Sequence, residues 1–304
     1  MRHFASKVQA VDGGAGVRQW RIGAVTVTKV VELEATGGFG FVLPQATRDA
    51  LAGMDWLKPH FATDEGRAKT SVHALVVETP TRRIIVDTGL GNDKQGRAVP
   101  GWNGLNLPFL RDLSDAGYPP EMIDTVICTH LHVDHVGWNT RLDGGGRWVP
   151  TFPNARYLFV RQEFAHWRSV HEETPENERA LVFADSVRPV DEAGLVDLVD
   201  DTHAVCEEVR LVATTGHTPG HVSVLISSEG KEALITGDFL HHPCQLARPD
   251  WAATPDWDQE MSTRTRREMF TWLADRGTLV IGTHFAEPSA GRVVRDGDAF
   301  RFAV

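Results

Sequence analysis

The sequence is poor in cysteine, has no long apolar run and carries an excess of negative charge. Its three cysteines, Cys128, Cys206 and Cys244, are too few and too scattered for a disulfide framework, which favours a reducing compartment. No apolar run approaches the ~20 residues that span a bilayer, and the start lacks the apolar core of a secretion signal. The formal net charge of −10 disfavours a broad phosphate-binding surface. We therefore expect a cytoplasmic protein with no nucleic acid and no membrane as a partner.

The composition is that of a globular chain with enough apolar residues for a packed core. Hydrophobic residues make up 41% and charged residues 24% of the 304 positions, and such a length suits one large domain or two small ones. Residues 36–70 carry many aromatics without a clear period. We expect residues 1–70 to be an N-terminal extension packed on the core, as a lid or as the contact of a possible homodimer. Residues 71–304 would form the main domain.

Four candidate metal ligands lie within six residues, directly after a predicted buried strand. His130, His132, Asp134 and His135 follow the β-branched run 123–128. Alternation points His130 and His132 the same way, and the other two follow on the turn. Imidazoles and a carboxylate without a thiolate suit Zn²⁺, Mn²⁺ or Fe²⁺. A surface-exposed histidine-rich loop is the alternative interpretation, and later elements of the chain argue against it.

Three later strands or turns each deliver a histidine or an aspartate at an edge. Such groups on separate elements are what an enzyme site on a β-rich scaffold requires. They are His217 in the turn 216–221, Asp238 after the predicted strand 232–235, and His284 after the predicted strand 278–281. Asp87 also ends a strand, and we expect it to orient a metal ligand, although a turn-capping aspartate fits the same pattern. His221 opens a strand and is expected to make a buried hydrogen bond rather than to bind metal.

The coarse secondary structure falls into two halves, each with strands and helices. The first half contains predicted strands 22–31, 71–78, 82–86, 123–128 and 156–160 and helices 105–116, 162–169 and 176–187. The second contains strands 208–213, 222–226, 232–235 and 278–281 and the helix 263–274. Residues 1–20 are expected to be a loose lead-in with a hinge at 12–16, and residues 139–153 a polar excursion. This order indicates two similar halves packed face to face.

Together these residues resemble the signature of the metallo-β-lactamase superfamily of hydrolases. The order and spacing agree over roughly residues 71–302. The resemblance implies an α/β fold, an αββα sandwich of two mixed β-sheets flanked by helices, with a dinuclear metal site at one edge. It also implies two divalent ions, zinc (Zn²⁺) first, with Mn²⁺, Co²⁺ or Fe²⁺ as alternatives. By the resemblance, one ion takes His130, His132 and His217, the other takes Asp134, His135 and His284, and Asp238 bridges them.

Within the superfamily the chain resembles the branch that contains N-acyl-homoserine lactonases and methyl parathion hydrolase. A long segment precedes the first predicted hairpin and a short one follows His284. The best-known lactonases carry tyrosine three residues after the bridging aspartate, whereas this chain carries His241 there, which resembles the methyl parathion hydrolase side. The resemblance implies a hydrolase acting on a small-molecule lactone or carboxylic ester. In it Asp134, Asp238 and His241 are catalytic, and the predicted substrate pocket contains Trp138, Phe239 and Leu240.

Two other functions fit parts of the same pattern. A phosphotriesterase of the methyl parathion hydrolase type would use His241 and the surrounding aromatics for an organophosphate substrate. A mononuclear iron dioxygenase, or another non-hydrolytic metalloprotein, shares part of the motif, although di-iron relatives tend to carry glutamate where His132 stands. Metal analysis and a substrate panel distinguish these hypotheses.

Overall fold

The computed structural model describes residues 10–13 and 17–304, in which strands alternate with short helices. The strands, in chain order, are β1 Ala10–Gly13, β2 Val17–Ile22, β3 Val25–Thr36, β4 Lys69–Glu78, β5 Arg83–Val86, β6 Thr125–Ile127, β7 Thr140–Leu142, β8 Trp148–Pro150, β9 Arg156–Val160, β10 Val196–Val199, β11 Val209–Ala213, β12 Val222–Ser228, β13 Lys231–Ile235, β14 Leu279–Ile281, β15 Ala290–Asp296 and β16 Ala299–Ala303. The α-helices are α1 Arg48–Ala52, α2 Phe109–Asp115, α3 Arg161–Glu173, α4 Glu178–Val182, α5 Arg188–Glu192, α6 Cys244–Ala247 and α7 Gln259–Arg276. Among the described helices, none combines the length and the apolar character needed to cross a bilayer.

The strands form two large mixed sheets and one small hairpin. The first sheet has eight strands in the order β1-β2-β3-β4-β5-β6-β9-β10, and the second has six in the order β11-β12-β13-β14-β15-β16. Neighbouring strands are antiparallel up to β5, whereas β5, β6, β9 and β10 run parallel. In the second sheet, β13 and β14 are the parallel pair. Within residues 10–13 and 17–304, strands β7 and β8 pair only with each other.

Alternation of side chains along the strands creates three apolar cores. On β5, Ile84 and Val86 point between the sheets, whereas Ile85 points outward against α2. On β12, Val224 points between the sheets, whereas Leu225 joins the outer core that α7 covers. The layers are therefore helix, sheet, sheet, helix. The predicted α/β fold with an αββα sandwich is confirmed.

The loops that follow the buried strands meet at one edge of this sandwich. The backbone N–H of Val222 at the start of β12 donates to the carbonyl of Thr129 after β6, at 3.0 Å. The N–H of Ser71 on β4 donates to the carbonyl of His284 after β14, also at 3.0 Å. These backbone bonds connect the two sheets directly, so side chains on the loops converge from both.

Several predicted boundaries are wrong. Residues 10–13 and 17–20 were expected in a loose lead-in, but they belong to β1 and β2, which pair as antiparallel strands. The remainder of that lead-in, with most of the expected hinge at 12–16, lies outside the described residues. The predicted strand 22–31 is interrupted by a turn at Gly23, where φ is 59° and a Cβ would lie 2.4 Å from the carbonyl oxygen of Ser228.

The segments expected to be irregular contain regular structure. Residues 139–153 include the hairpin β7–β8, whose turn is closed by Asp143 accepting from the N–H groups of Gly145 and Arg147. Residues 36–70 include α1. Strand β3 pairs with β4 from Thr26 opposite Glu78 to Thr36 opposite Lys69, so residues 25–36 share a sheet with the predicted main domain.

Candidate metal centre

The loop after β6 carries four of the predicted ligands and is held in place by Asp87. The carboxylate of Asp87 accepts from the backbone N–H of Thr129 at 2.8 Å and from its hydroxyl at 2.9 Å. The N–H of His135 donates to the carbonyl of His132 at 3.1 Å and closes the turn. Since Thr129 immediately precedes His130, this anchoring fixes the direction in which the motif leaves the strand.

His130, His132 and His217 bring three ring nitrogens together. Nδ1 of His132 lies 3.0 Å from Nε2 of His130 and 2.9 Å from Nε2 of His217. Burial lowers the pKa of His130 and His132 well below the ordinary value, so these imidazoles are neutral, which is the form that binds metal. These three side chains form the first candidate metal position.

Asp134, His135 and His284 form the second candidate metal position. Nε2 of His135 lies 3.2 Å from Nε2 of His284 and 3.6 Å from the carboxylate of Asp134. Nε2 of His284 lies 3.6 Å from the other oxygen of Asp134. The two candidate positions therefore lie side by side, and each has its own set of three donor side chains.

Asp238 lies between the two positions. Its Oδ2 is 3.3 Å from Nε2 of His135 and 3.6 Å from Nε2 of His217, and its Oδ1 is 3.1 Å from Nε2 of His284. The residue is 3% exposed, and Oδ1 has no hydrogen-bond partner in the described part of the chain. Burial alone would raise the pKa of Asp238, but the surrounding imidazoles, His284 first, hold it well below its usual range. It is therefore ionised, and its two oxygens face side chains of both candidate positions.

The hydrogen bonds at the back of the rings show that these groups fit metal cations. His135 donates Nδ1–H to Asp87 at 3.0 Å, His217 to Asp256 at 2.8 Å, and His284 to the carbonyl of Ser71 at 3.2 Å. With Nδ1 engaged by these acceptors, each of these rings turns its Nε2 into the site. Ring nitrogens of different residues then face one another, at 2.9 Å for His132 and His217 and at 3.2 Å for His135 and His284, an arrangement that a cation between them would satisfy. Neutral nitrogens and carboxylates without a thiolate suit zinc and its neighbours.

Asp256, which holds His217, was not found from the sequence. It is buried and lies 3.5 Å from the guanidinium of Arg266, and its contact with His217 outweighs burial and lowers its pKa to about 2. The available signal was the pair Asp256 and Asp258 just before α7. Asp258 caps that helix by accepting from the N–H of Met261 at 2.9 Å, which leaves the other carboxylate free for the histidine.

His221 takes no place in either candidate position. Its Nδ1 donates to the carbonyl of Thr214 at 3.0 Å, and its Nε2 accepts from the backbone N–H of Asp238 at 2.7 Å. Both ring nitrogens are therefore used in hydrogen bonds, and the ring supports the backbone that carries the bridging aspartate. A Cβ on Gly237 would lie 2.6 Å from this ring, so the close approach requires glycine there.

His241 lies beside the Asp238 carboxylate. Its Nε2 is 3.3 Å from Oδ2 of Asp238, and the residue is 3% exposed. Neither ring nitrogen has a hydrogen-bond partner in the described residues. A buried imidazole with both nitrogens free of the protein points to a partner supplied by something that enters the site.

These groups form the floor of a cavity of about 530 Å³. Its walls are largely apolar and come from several separate parts of the chain. They include Phe39, Phe41, Trp102, Leu131, Trp167 and Val182. Such a cavity, apolar with a few convergent polar groups, is typical of small-molecule sites.

The predicted pocket residues Trp138, Phe239 and Leu240 lie outside this lining, so that prediction is wrong. Trp138 donates its indole N–H to Glu32 at 2.7 Å and stacks on Phe109 with ring centroids 5.5 Å apart. Phe239 and Leu240 are buried in the core between the second sheet and α7. The short helical turn Gly237–Phe239 directs Asp238 into the site and its neighbours away from it.

An αββα sandwich with paired histidine and aspartate clusters at one sheet edge defines a metallo-β-lactamase type of fold and site. The family model described as Metallo-beta-lactamase superfamily matches residues 68–282. The chain therefore belongs to the metallo-beta-lactamase superfamily.

Similar proteins include named hydrolases. A probable metallo-hydrolase of Mycobacterium tuberculosis is 27% identical over 191 residues, covering 56% of this chain and 57% of that protein. An N-acyl homoserine lactonase of a Bacillus species is 27% identical over 170 residues, covering 52% of this chain and 59% of that protein. The matched region thus spans less than two thirds of these curated relatives.

Solved structures show the same fold. A hydrolase of the beta lactamase superfamily, AbOPH, has a TM-score of 0.76 at 22% identity, covering 96% of this chain and 98% of that one. AidC, described as a dizinc quorum-quenching lactonase in complex with a product, has a TM-score of 0.76 at 20% identity, covering 94% and 96%. The similarity extends over nearly the full length and concerns the fold.

Proposed function

We propose that this protein is a dinuclear-metal hydrolase, with zinc as the first choice of metal, that cleaves a lactone or carboxylic ester carrying an apolar group. One observation carries the proposal: seven nitrogen and oxygen donors converge in two adjoining sets at the floor of an apolar cavity. The lactonases among the similar proteins support the choice of substrate class.

Different residues of the site have different roles in the proposed reaction. When bound, two cations supply Lewis acidity that polarises a carbonyl group and activates water near neutral pH. Asp134 would supply its carboxylate to the second position, and Asp238, whose oxygens face histidines of both positions, would contribute to holding both cations. His241 lies beside Asp238, where it would take the proton released by the attacking water and pass it to the departing alkoxide. The apolar walls exclude water and hold the acyl or aryl part of the substrate.

A substrate panel tests this proposal. We expect zinc- or manganese-loaded protein to hydrolyse members of a panel of lactones and aryl esters, and His132→Ala and Asp238→Ala to abolish this activity. Asp143→Ala is the matched control, since that carboxylate lies in the β7–β8 turn away from the cavity. If the loaded protein is no faster than the two site variants on every substrate, the proposal is wrong.

Phosphotriester hydrolysis is the second candidate function. The aromatic wall at Phe39, Trp102 and Trp167 favours a substrate with an aryl leaving group. His241, at the position that resembles methyl parathion hydrolase, is the second feature that favours this candidate. Turnover of paraoxon-type substrates well above that of esters would favour this candidate, and the reverse ranking would count against it. A mononuclear iron protein is the remaining alternative, and metal analysis separates it, since it would retain one redox-active iron in place of two zinc-like ions.

We further propose that part of the N-terminal extension, residues 37–42, serves as a lid rather than as a dimer contact. Phe41 and Trp102 pack edge to face with centroids 6.2 Å apart, and both line the cavity. Sedimentation of the native protein tests the alternative. A homodimer that dissociates on Phe41→Glu substitution would favour the contact.

A further inference from the structure

A buried glutamate on α3 joins two loops that carry ligands of the first candidate metal position. Glu163 is 1% exposed. Its Oε1 accepts from the backbone N–H of Leu131 at 3.0 Å, and its Oε2 accepts from the backbone N–H of Gly220 at 2.9 Å. Leu131 lies between His130 and His132, and Gly220 lies three residues after His217. One carboxylate therefore spans both turns.

The same carboxylate also fixes an aromatic ring that packs against a ligand. Oε1 of Glu163 accepts from the indole N–H of Trp167 at 2.6 Å, one helical turn further along α3. The Trp167 ring lies edge-on to His132, with centroids 5.2 Å apart. The rotamer of His132 is thus limited by a tryptophan that the glutamate holds in place.

The backbone at Gly220 is shaped for this contact. A Cβ on Gly220 would lie 2.5 Å from the backbone nitrogen of Glu163 and 2.6 Å from its Cβ. The turn 216–221 consequently lies directly on the first turn of α3, where a carboxylate is also favoured by the helix dipole. The close approach leaves no room for a side chain at position 220 and brings its backbone N–H within reach of the Glu163 carboxylate.

We infer that Glu163 is a positioning residue that sets the metal affinity of the His130, His132 and His217 position and leaves that of the Asp134, His135 and His284 position unchanged. The second position has a different anchor, because His135 is held by Asp87 and His284 by the carbonyl of Ser71. The inference rests on the proposed function only in taking divalent cations as the ligands.

The test uses Glu163→Gln, which keeps the shape but replaces one acceptor oxygen by an NH₂ group. Because both oxygens of Glu163 accept N–H groups, the amide must face at least one of these donors with its own hydrogens. Glu172→Gln is the matched control, since Glu172 lies on the same helix, exposed, and pairs with Arg168. Circular dichroism and the melting temperature of the metal-free protein report on folding.

Two background variants allow metal binding at each candidate position to be measured separately. His284→Ala leaves the first set of histidines complete, and His132→Ala leaves the second set complete. Each is titrated with Co²⁺ against a competing chelator, with the visible spectrum of bound cobalt as the readout. We expect Glu163→Gln to weaken Co²⁺ binding roughly 10- to 100-fold in the His284→Ala background and to leave it unchanged in the His132→Ala background. Glu172→Gln should change neither.

Equal weakening in both backgrounds, or none in the His284→Ala background, would overturn the inference. If Glu163→Gln does not fold, Trp167→Phe takes its place, because it removes the indole N–H and keeps an aromatic ring beside His132. The same selectivity is then expected at smaller amplitude, and its absence counts against the inference. No substrate enters these measurements, so they can succeed even when the hydrolase proposal fails.

Discussion

Oδ2 of Asp87 lies 3.0 Å from Nδ1 of His135, while the same carboxylate accepts from the backbone N–H of Thr129. One buried side chain at the end of β5 thus orients a candidate ligand and anchors the loop that carries three others. The arrangement pairs a carboxylate with an imidazole behind each metal position, as Asp256 does for His217.

Asp87→Asn tests this orienting role. The asparagine amide places an NH₂ group where one carboxylate oxygen accepted a hydrogen bond. Either the Nδ1–H of His135 or the N–H and hydroxyl of Thr129 then lose their acceptor. We expect metal affinity or kcat/KM to fall roughly 10- to 100-fold with the fold retained, measured by metal titration and kinetics. Asp143→Asn is the control. Unchanged metal retention in Asp87→Asn would show that the carboxylate only caps the turn.

His241→Ala should reduce the hydrolysis rate most for substrates with poor leaving groups. A nitrophenolate departs without a proton, whereas an alkoxide requires one, so loss of a proton donor matters mainly for alkyl esters and lactones. We expect kcat to fall roughly 100-fold or more on alkyl substrates and little on 4-nitrophenyl esters. The metal content of the variant is measured in parallel. An equal loss on both substrate types would assign His241 to metal binding instead.

Phe41 and Trp102 should determine selectivity for the length of the acyl chain. Both rings line the cavity, and Phe41 is 55% exposed. Truncating either to alanine removes apolar contact, so KM for long-chain substrates should rise roughly five- to tenfold and KM for short ones should stay constant. Kinetics on a series of lactones of increasing chain length provides the measurement. A rise that is independent of chain length would contradict this.

Gly137 is required by the close approach of two loops. A Cβ there would lie 1.9 Å from the carbonyl carbon of Leu90, so the backbone must move in Gly137→Ala. We expect a loss of about 1–3 kcal/mol in the free energy of unfolding, with weakened metal binding, because the loop from His130 to His135 ends beside this contact. Gly144→Ala is the matched control, since nothing lies within 4 Å of its added carbon. Equal stability of the two variants would refute the requirement.

His242 should make the metal-free protein sensitive to acid. Its Nε2 donates to the carbonyl of Phe61 at 2.9 Å, and burial lowers its pKa from 6.5 to about 4. Between these two pH values His242 is protonated in the unfolded chain but neutral in the folded chain. Its contribution to the free energy of unfolding is therefore complete above pH 6.5 and is lost as the pH falls towards 4. The full effect is roughly 3 kcal/mol. Urea unfolding across this range should show the slope in the parent chain and a smaller one in His242→Asn, and identical slopes would contradict the assignment.

The seven donor residues could be predicted from the sequence because each lies in a short stretch that is recognisable without knowledge of distant contacts. His130, His132, Asp134 and His135 occupy adjacent positions on one loop, and the remaining donors each follow a short apolar strand. Strand ends on packed sheets meet at an edge, so these donors were expected near one another, while their grouping into two metal positions came from the resemblance to the metallo-β-lactamase superfamily. Their roles as ligands stay predictions until a metal is bound.

The carboxylates that support the ligands and the residues of the cavity walls could not be predicted from the sequence in this way. Asp256, Glu163 and Glu32 reach their partners across 39, 57 and 106 residues of sequence, to His217, Gly220 and Trp138. No local pattern separates such an acid from a solvated one. Trp138 was misplaced for the same reason, since its neighbourhood in the chain suggested the pocket while Phe109 and Glu32 hold it in the core.

Anomalous scattering from crystals of the zinc-loaded protein, measured at the zinc edge, tests the central claim most directly. The account predicts two peaks about 3.5–4 Å apart. One should lie among the ring nitrogens of His130, His132 and His217, the other among Asp134, His135 and His284, with Asp238 contacting both. Peaks absent from both positions under zinc-replete conditions, or one peak alone, would contradict it.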